Sequence, residues 1–438
     1  MQDATLWFFA LLGASFLVKT AGLLKTGVLV CSLFAFLFFI FVVFEFFPSL
    51  VPPALKIIPY YALRTCCVAD PRLVYRYKPI PNLRPYISNR PRGRHYSPVY
   101  RADAPIMTFV PRSTQRDGLS DSNDSTADVV VIGDSFVQFA LKNEDTFGAK
   151  LEKISGLNVV AFGAARYGPF QYLEVLKTHG VKKRPKYALF SFFEGNDLDD
   201  VQNYLEWREA DRSKNGTAGG YYGVYHLALS GTLSDRFALA LTQTNRYLAE
   251  SLRSVAQLAI DTIAVGKRNH PDIAVINLGD QSHKVLFTYK NDARTPDELL
   301  RSSEWRKLRE IMIQLRNVSL ENDTIPIVMY VPTVAHIYAE YSTWESGQNW
   351  LNMRAAQITA KANRERAMIS LCRELDISLL NLSRAFEASA REGKLLYYPF
   401  DNHWNSEGRE VAAGFVSEAL KKQESRGAHY SNSPAASK

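Results

Sequence analysis

Val129–Gln138 reads VVVIGDSFVQ, and the fold is decided there. Four β-branched apolar residues follow Asp128, the composition of a strand buried on both faces. Gly133-Asp134-Ser135 makes a sharp turn, and Phe136–Lys142 reads as the first turns of a helix. A strand–turn–helix unit of this kind lifts a small side chain to the carboxyl edge of a parallel sheet, where open α/β folds place their sites. Ser135 at a helix N-terminus would meet free N–H groups, a favourable place for a nucleophile whose attack creates an oxyanion. Taken alone, the same residues also read as a strand ending in a turn with an Asp or Ser N-cap.

Downstream the alternation of strand and helix continues. Further strands are expected at Asn158–Phe162, Tyr187–Phe193, Pro326–Val331 and Ile377–Leu382. Helices are expected at Glu144–Ile154, Phe170–His179, Asp199–Ala210, Trp350–Leu375 and Ser406–Lys421. Between them, about 205–322 breaks the alternation and reads as an insertion. It holds a Gly-rich loop at Lys214–Tyr222, a long helix within Leu233–Lys267, and a hairpin of Ile273–Leu278 with Val285–Tyr289. The α/β domain therefore covers 128–424, and 425–438 is a polar, disordered tail.

Upstream the chain changes character. Gly27–Phe47, GVLVCSLFAFLFFIFVVFEFF, carries a single charge, Glu45, and has the length of a membrane span. It is apolar on every face, which suits a buried soluble helix poorly. A shorter run, Ala4–Val18, precedes it, so 1–53 is expected to be an anchor of one or two transmembrane helices. Lys19 and Lys25 between the runs place that side in the cytoplasm, and the remainder of the chain is extracytoplasmic, at an inner membrane. Residues 54–127 form an arm and linker rich in Pro, Arg and Tyr. Its arginines supply much of the net charge of +8. Contact with phospholipid heads or an anionic glycan is one reading of this arm, and a solvated linker packed on the domain is the other. With this topology no nucleic acid partner is expected. The four cysteines show no zinc or redox spacing, and no His/Cys/Asp cluster has metal spacing, so neither metal nor cofactor is expected.

Three strand ends carry Ser135, Gly163 and Asn196, and Asp401-Asn402-His403-Trp404 precedes the last helix. Ser135 Oγ is a poor nucleophile until a base takes its proton, and His403 is the natural base. Asp401 could hold the imidazole tautomer. The N–H groups of Ser135 and Gly163 and the amide of Asn196 could form an oxyanion hole, with Gly163 leaving no Cβ in a ligand's way. Asp134 and Asp197 read as turn or N-cap residues. Tyr167 is a candidate substrate contact. Trp404 can stack on a sugar or pack under the last helix. His179, His226, His270, His283 and His336 take no assigned role.

These residues resemble the SGNH, or GDSL-type, hydrolases. The marks of that family are Ser in GDS after the first strand, Gly after the second, Asn in GND after the third, and a late His preceded by Asp. Here they are Gly133-Asp134-Ser135, Gly163, Gly195-Asn196-Asp197, and Asp401 with His403. The resemblance covers roughly 128–420. It implies a three-layer α/β/α, flavodoxin-like parallel sheet and ester chemistry through an acyl-enzyme without a metal. The common pattern has the acid three positions before the His, where this chain has Phe400, whereas Asp401 is two before. That spacing, with Trp404 next, resembles the branch of the alginate O-acetylation proteins, which are membrane-associated and transfer acetyl groups to polysaccharide. The resemblance implies an esterase acting on an acylated carbohydrate. The alternatives are an O-acetyltransferase fed by a multi-span acyl-donor partner, or a non-catalytic glycan-binding member of the fold.

Overall fold

The computed structural model describes residues 23–47, 50, 60, 63–64, 67–77, 87–88, 107–108, 126–138, 140, 143–209, 221–245, 273–287, 289–343, 350–399 and 401–431. The apolar run Ala4–Val18, most of the arm, most of the Gly-rich loop, the second half of the helix expected within Leu233–Lys267, and Phe400 lie outside the described residues. The chain divides into two compact units, Met1–Lys78 with Asn203–Ala256 and Pro79–Gln202 with Gln257–Lys438.

In the first unit, α1 (Leu23–Phe46) is followed by an antiparallel pair, β1 (Cys67–Asp70) and β2 (Val74–Tyr77). Among the described residues no helix is long and apolar enough to cross a membrane. Leu33, Phe34, Phe36, Leu37, Phe38 and Phe39 of α1 are nonetheless exposed, an apolar row that water does not favour. One stripe of α1 is partnered: Phe34, Phe38 and Phe41 meet the ring of Phe237 at centroid distances of 5.3, 5.0 and 5.1 Å. Their spacing of three and four residues puts them on one helical face. At the end of α1, Glu45 is buried and paired with Arg64 at 2.9 Å and Arg236 at 2.8 Å, and Tyr60 donates its hydroxyl to it. Of the segment read as an insertion, residues up to Ala256 fall in this unit, with a helix at Tyr221–Ser230.

In the second unit, β3 (Ile87–Ser88) pairs with β4 (Met107–Thr108). The core then begins with β5 (Val129–Gly133), the single helical turn α2 (Ser135–Gln138), α3 (Phe147–Ser155), β6 (Val159–Gly163), α4 (Pro169–Val175), β7 (Tyr187–Phe193) and α5 (Asp197–Glu209), in which the chain passes into the first unit. It resumes with the hairpin β8 (Ile273–Leu278) and β9 (Gln281–Leu286), α6 (Ser303–Leu320), β10 (Ile325–Val331), α7 (Val334–Tyr338), β11 (Ser342–Thr343), α8 (Asn363–Glu374), β12 (Ser378–Asn381) and α9 (Ser406–Ser431). Five strands form one parallel sheet in the order β12-β10-β7-β5-β6. Counted along the chain this is the 2-1-3-4-5 order of flavodoxin-like sheets, with its topological switch between β5 and β7. Every residue of β5 and β7 is buried, which is why both read as unbroken apolar runs. On one face Val129, Val131, Leu189, Ile327 and Met329 pack with Phe147, Leu151, Ala412 and Val416 from α3 and α9. On the other lie α4 and α6, the latter the crossover into β10.

Four local expectations change. The helix after Ser135 is one turn long. The second hairpin strand is Gln281–Leu286, because Gly279-Asp280 makes a two-residue turn with Gly279 at φ 59°. The helix expected over Trp350–Leu375 is two helices, broken where Ala362 adopts φ 65°. Asn363 and Arg364 then reach Asp292 and the backbone of Glu194, contacts that fix this bend. The last helix runs to Ser431, into the stretch read as a tail.

Candidate active site

Ser135 stands where β5 gives way to α2, at the carboxyl edge of the sheet. The turn is closed by Asp134, whose Oδ1 accepts the Phe136 N–H at 2.9 Å. Asp134 thus caps the turn, as its residue type suggested. One helical turn has little dipole, so helix polarity contributes less at Ser135 than its position in the sequence suggested.

His403 reaches Ser135 from 268 residues away, its Nε2 at 2.7 Å from Ser135 Oγ. Its Nδ1 makes a very short hydrogen bond to Asp401, which also accepts the His403 main-chain N–H at 3.0 Å. With Nδ1–H given to a carboxylate, Nε2 is left as the acceptor for the serine hydroxyl, a tautomer assigned from the network. Asp401 therefore orients the ring although it stands two positions before the histidine.

The loop carrying this pair is held along its length. Tyr397 bridges to Trp404, the Tyr398 N–H donates to His403 O at 3.0 Å, and buried Arg409 donates to Trp404 O and to the Tyr398 hydroxyl. Asn405 caps α9 by accepting the Gly408 N–H at 2.9 Å. Phe136 packs on the imidazole at 4.9 Å, and on Trp404 and Phe193.

Gly163 pairs in register with Gly133. A Cβ on Gly163 would lie 2.7 Å from the Gln138 nitrogen and 2.9 Å from Val137 Cβ. The glycine is thus required by the close approach of α2, a stronger demand than clearance for a ligand. Asn196 lies in the turn after β7 and is buried, with one amide N–H committed to Asp200. A second N–H remains on the same nitrogen. Asp197 closes that turn by accepting the Phe193 N–H at 3.0 Å, and it also accepts the Tyr172 hydroxyl.

Asp134, Asp197 and Asp200 are all buried. Burial raises the Asp134 pKa to about 6, against the lowering effects of the Phe136 N–H, His403 and Ser135. Asp197 is likewise pushed well above the carboxylate range, by burial and then by Asp134 and Asp200. Among the described residues no group of His, Cys, Asp and Glu is arranged to hold a metal.

Two candidates are corrected. Trp404 and Tyr167 are each 1% exposed. Trp404 lies among Phe136, Phe147 and Phe386, and offers no face to a sugar. Tyr167 is closed within the loop between β6 and α4, where its carbonyl accepts the Tyr172 hydroxyl. Three polar residues escaped the sequence reading. Buried Gln138 accepts the Ala165 N–H at 2.6 Å and ties α2 to the segment after Gly163. Glu194 and His336 form a buried pair at 2.9 Å beside the Asn196 turn. Residues that meet across such distances leave no spacing signal.

Residues 284–436 match the family described as SGNH hydrolase-like domain, acetyltransferase AlgX. Asp401 and His403 fall inside this match, and Ser135, Gly163 and Asn196 precede it. No curated protein sequence matches the chain. Similar solved structures include a GDSL-like lipase from Bacteroides thetaiotaomicron, at 9% identity and TM-score 0.31, covering 67% of this chain and 88% of that one. A lipolytic protein of the G-D-S-L family from Desulfitobacterium hafniense is 12% identical at TM-score 0.31, covering 67% and 98%. An acetyl xylan esterase is 13% identical at TM-score 0.32, covering 67% and 99%. The motif order and the family match point the same way: residues 284–436 are similar to an SGNH hydrolase-like domain of the acetyltransferase AlgX kind.

Proposed function

We propose that this chain is a membrane-anchored, extracytoplasmic enzyme that takes an acyl group, acetyl in the simplest case, from a carbohydrate ester onto Ser135. His403 Nε2 removes the Ser135 proton as Oγ attacks the ester carbonyl, while Asp401 holds Nδ1–H and balances the imidazolium. The developing oxyanion accepts hydrogen bonds from the N–H groups of Ser135 and Gly163 and from Asn196. Collapse breaks the ester C–O bond, and the proton passes from His403 to the leaving sugar oxygen. Water then attacks the acyl-serine by the reverse proton path, giving a carboxylic acid and free Ser135. The single observation that carries this reading is the hydrogen-bond sequence from Ser135 through His403 to Asp401.

The membrane anchor is supported by the apolar run Gly27–Phe47 and by the exposed row from Leu33 to Phe39. A protein that leaves membranes in alkaline carbonate without detergent contradicts it.

A second reading, transfer of the acyl group to a sugar hydroxyl, is favoured by the acetyltransferase description of the matched family. Transfer needs an acyl donor delivered across the membrane, by a multi-span partner. The full chain incubated with an acetyl ester, with water and oligosaccharide offered together, tests both. Ser135→Ala is expected to lose activity by about 10⁴-fold or more, and unchanged turnover ends the proposal. Acetylated oligosaccharide as the main product selects transfer, and free acetate selects hydrolysis.

A further inference from the structure

Three residues, Glu194-Gly195-Asn196, make the turn between β7 and α5. The first of them is bound on every side. Its main-chain N–H donates to Val331 O at 2.9 Å, and its carbonyl accepts from Arg364 Nη1 at 2.7 Å. Its carboxylate accepts the Thr333 N–H at 2.9 Å and meets His336 Nδ1 at 2.9 and 3.0 Å. Gly195 is closely packed: a Cβ there would strike the Phe193 ring and lie 2.9 Å from Tyr289. Glu194 and Asn196 thus stand two residues apart in one closely held turn.

His336 is 1% exposed, and its far nitrogen, Nε2, lies 3.5 Å from Glu365. A neutral imidazole has one donor nitrogen, whereas a site with a carboxylate at each nitrogen suits the doubly protonated ring. Burial would lower the His336 pKa, but Glu194 and then Glu365 outweigh it and hold it above the usual value. Arg364 adds a second cation, bound at once to Glu194 O, to Asp292 at 2.9 Å and to Asp199 at 3.7 Å. The Thr333 hydroxyl accepts the His336 N–H at 3.1 Å and fixes the start of the helix that carries the ring.

We propose that His336, acting through Glu194, is a positioning residue that sets the Asn196 amide for the oxyanion. This rests on the acyl-enzyme reading above and extends it to a residue in contact with neither Ser135 nor His403. Loss of the His336–Glu194 pair leaves a buried carboxylate with fewer donors, so the turn relaxes and the amide drifts from the place where charge develops. The ground-state ester does not use that donor fully, so the loss falls on kcat and spares KM.

The test uses the full chain and p-nitrophenyl acetate. His336→Leu removes the donor, and His336→Asn retains an N–H near the Nδ1 position. The leucine variant is expected to lose about 10- to 100-fold in kcat, with KM within about twofold, and the asparagine variant to recover most of it. In an Asn196→Ala background His336→Leu is expected to cause almost no further loss, since the two act through one contact. If the leucine variant does not fold, Glu194→Gln is placed in the same cycle with the same expectation. Full additivity of the two losses overturns the inference, as does an unchanged kcat in His336→Leu while Ser135→Ala is inactive. Activity retained in Ser135→Ala instead overturns the acyl-enzyme reading itself.

Discussion

His403 and His336 are both nearly closed to solvent, and each gives Nδ1 to a carboxylate, Asp401 in one case and Glu194 in the other. They part at the other nitrogen. His403 Nε2 meets the Ser135 hydroxyl at 2.7 Å, whereas His336 Nε2 faces Glu365 at 3.5 Å. A nitrogen facing a hydroxyl can accept its proton. A nitrogen facing a second carboxylate is held as a donor, and such a ring has no basicity to offer. Chemistry is thus set by what stands beyond the ring, and burial beside an acid does not by itself make a base.

The comparison breaks most easily at its largest expected effect. His403→Asn should lower kcat on an acetyl ester by about 10⁴-fold, while the same change at His336 should cost about tenfold or less. Equal losses would remove the distinction. Next comes stability: His336→Leu leaves Glu194 buried without its main partner and should cost about 3–5 kcal/mol in chemical unfolding. His403→Asn should cost clearly less, since Asp401 keeps partial access to water. Asn196→Ala should lower kcat by about 10²–10³-fold, and, because buried Asp200 loses its amide donor, cost about 1–3 kcal/mol in unfolding.

A smaller effect sharpens the account of the acidic side of the site. Burial first of all raises Asp134 from 3.8 to about 6. Between those values the folded chain still binds a proton that the unfolded chain has lost, so stability falls as pH rises through this window. Asp134→Asn keeps the acceptor for the Phe136 N–H and has no proton to lose. Its unfolding free energy should match the parent near pH 4 and exceed it above pH 6, by a difference on the order of 1–3 kcal/mol. Gly163→Ala should cost about 1–3 kcal/mol from its clash with α2, and a neutral result would return Gly163 to a purely ligand-clearing role.

The parts of this architecture that were legible in the sequence are those written in local pattern. β5 and β7 are buried on both faces and read as unbroken apolar runs, so local pattern alone places the residues at their ends, Ser135 and Asn196. The SGNH resemblance then joined Gly163, Asp401 and His403 to them. Other features depend on contacts made across the fold. Trp404 lies buried among Phe136, Phe147 and Phe386, rings from three other segments, and no periodicity announces that. The pair of Glu194 and His336 is separated by 142 residues. The break at Ala362 carries no Gly or Pro, and only the reach of Asn363 and Arg364 to distant partners accounts for it. The hairpin turn at Gly279-Asp280 is legible in turn chemistry, and the strand after it begins at Gln281, ahead of the expected Val285.

The central claim is that the Ser135 hydroxyl, with its proton drawn off by His403, carries the acyl group between donor and acceptor. Brief incubation of the full chain with an acetyl donor, acid quench and peptide mass spectrometry tests it directly. The account predicts one acetyl group on the peptide containing Ser135, accumulating in the parent chain and absent in both Ser135→Ala and His403→Asn. Turnover of the donor with no acylated Ser135 at any quench time, or with the acetyl group on another residue, would contradict it.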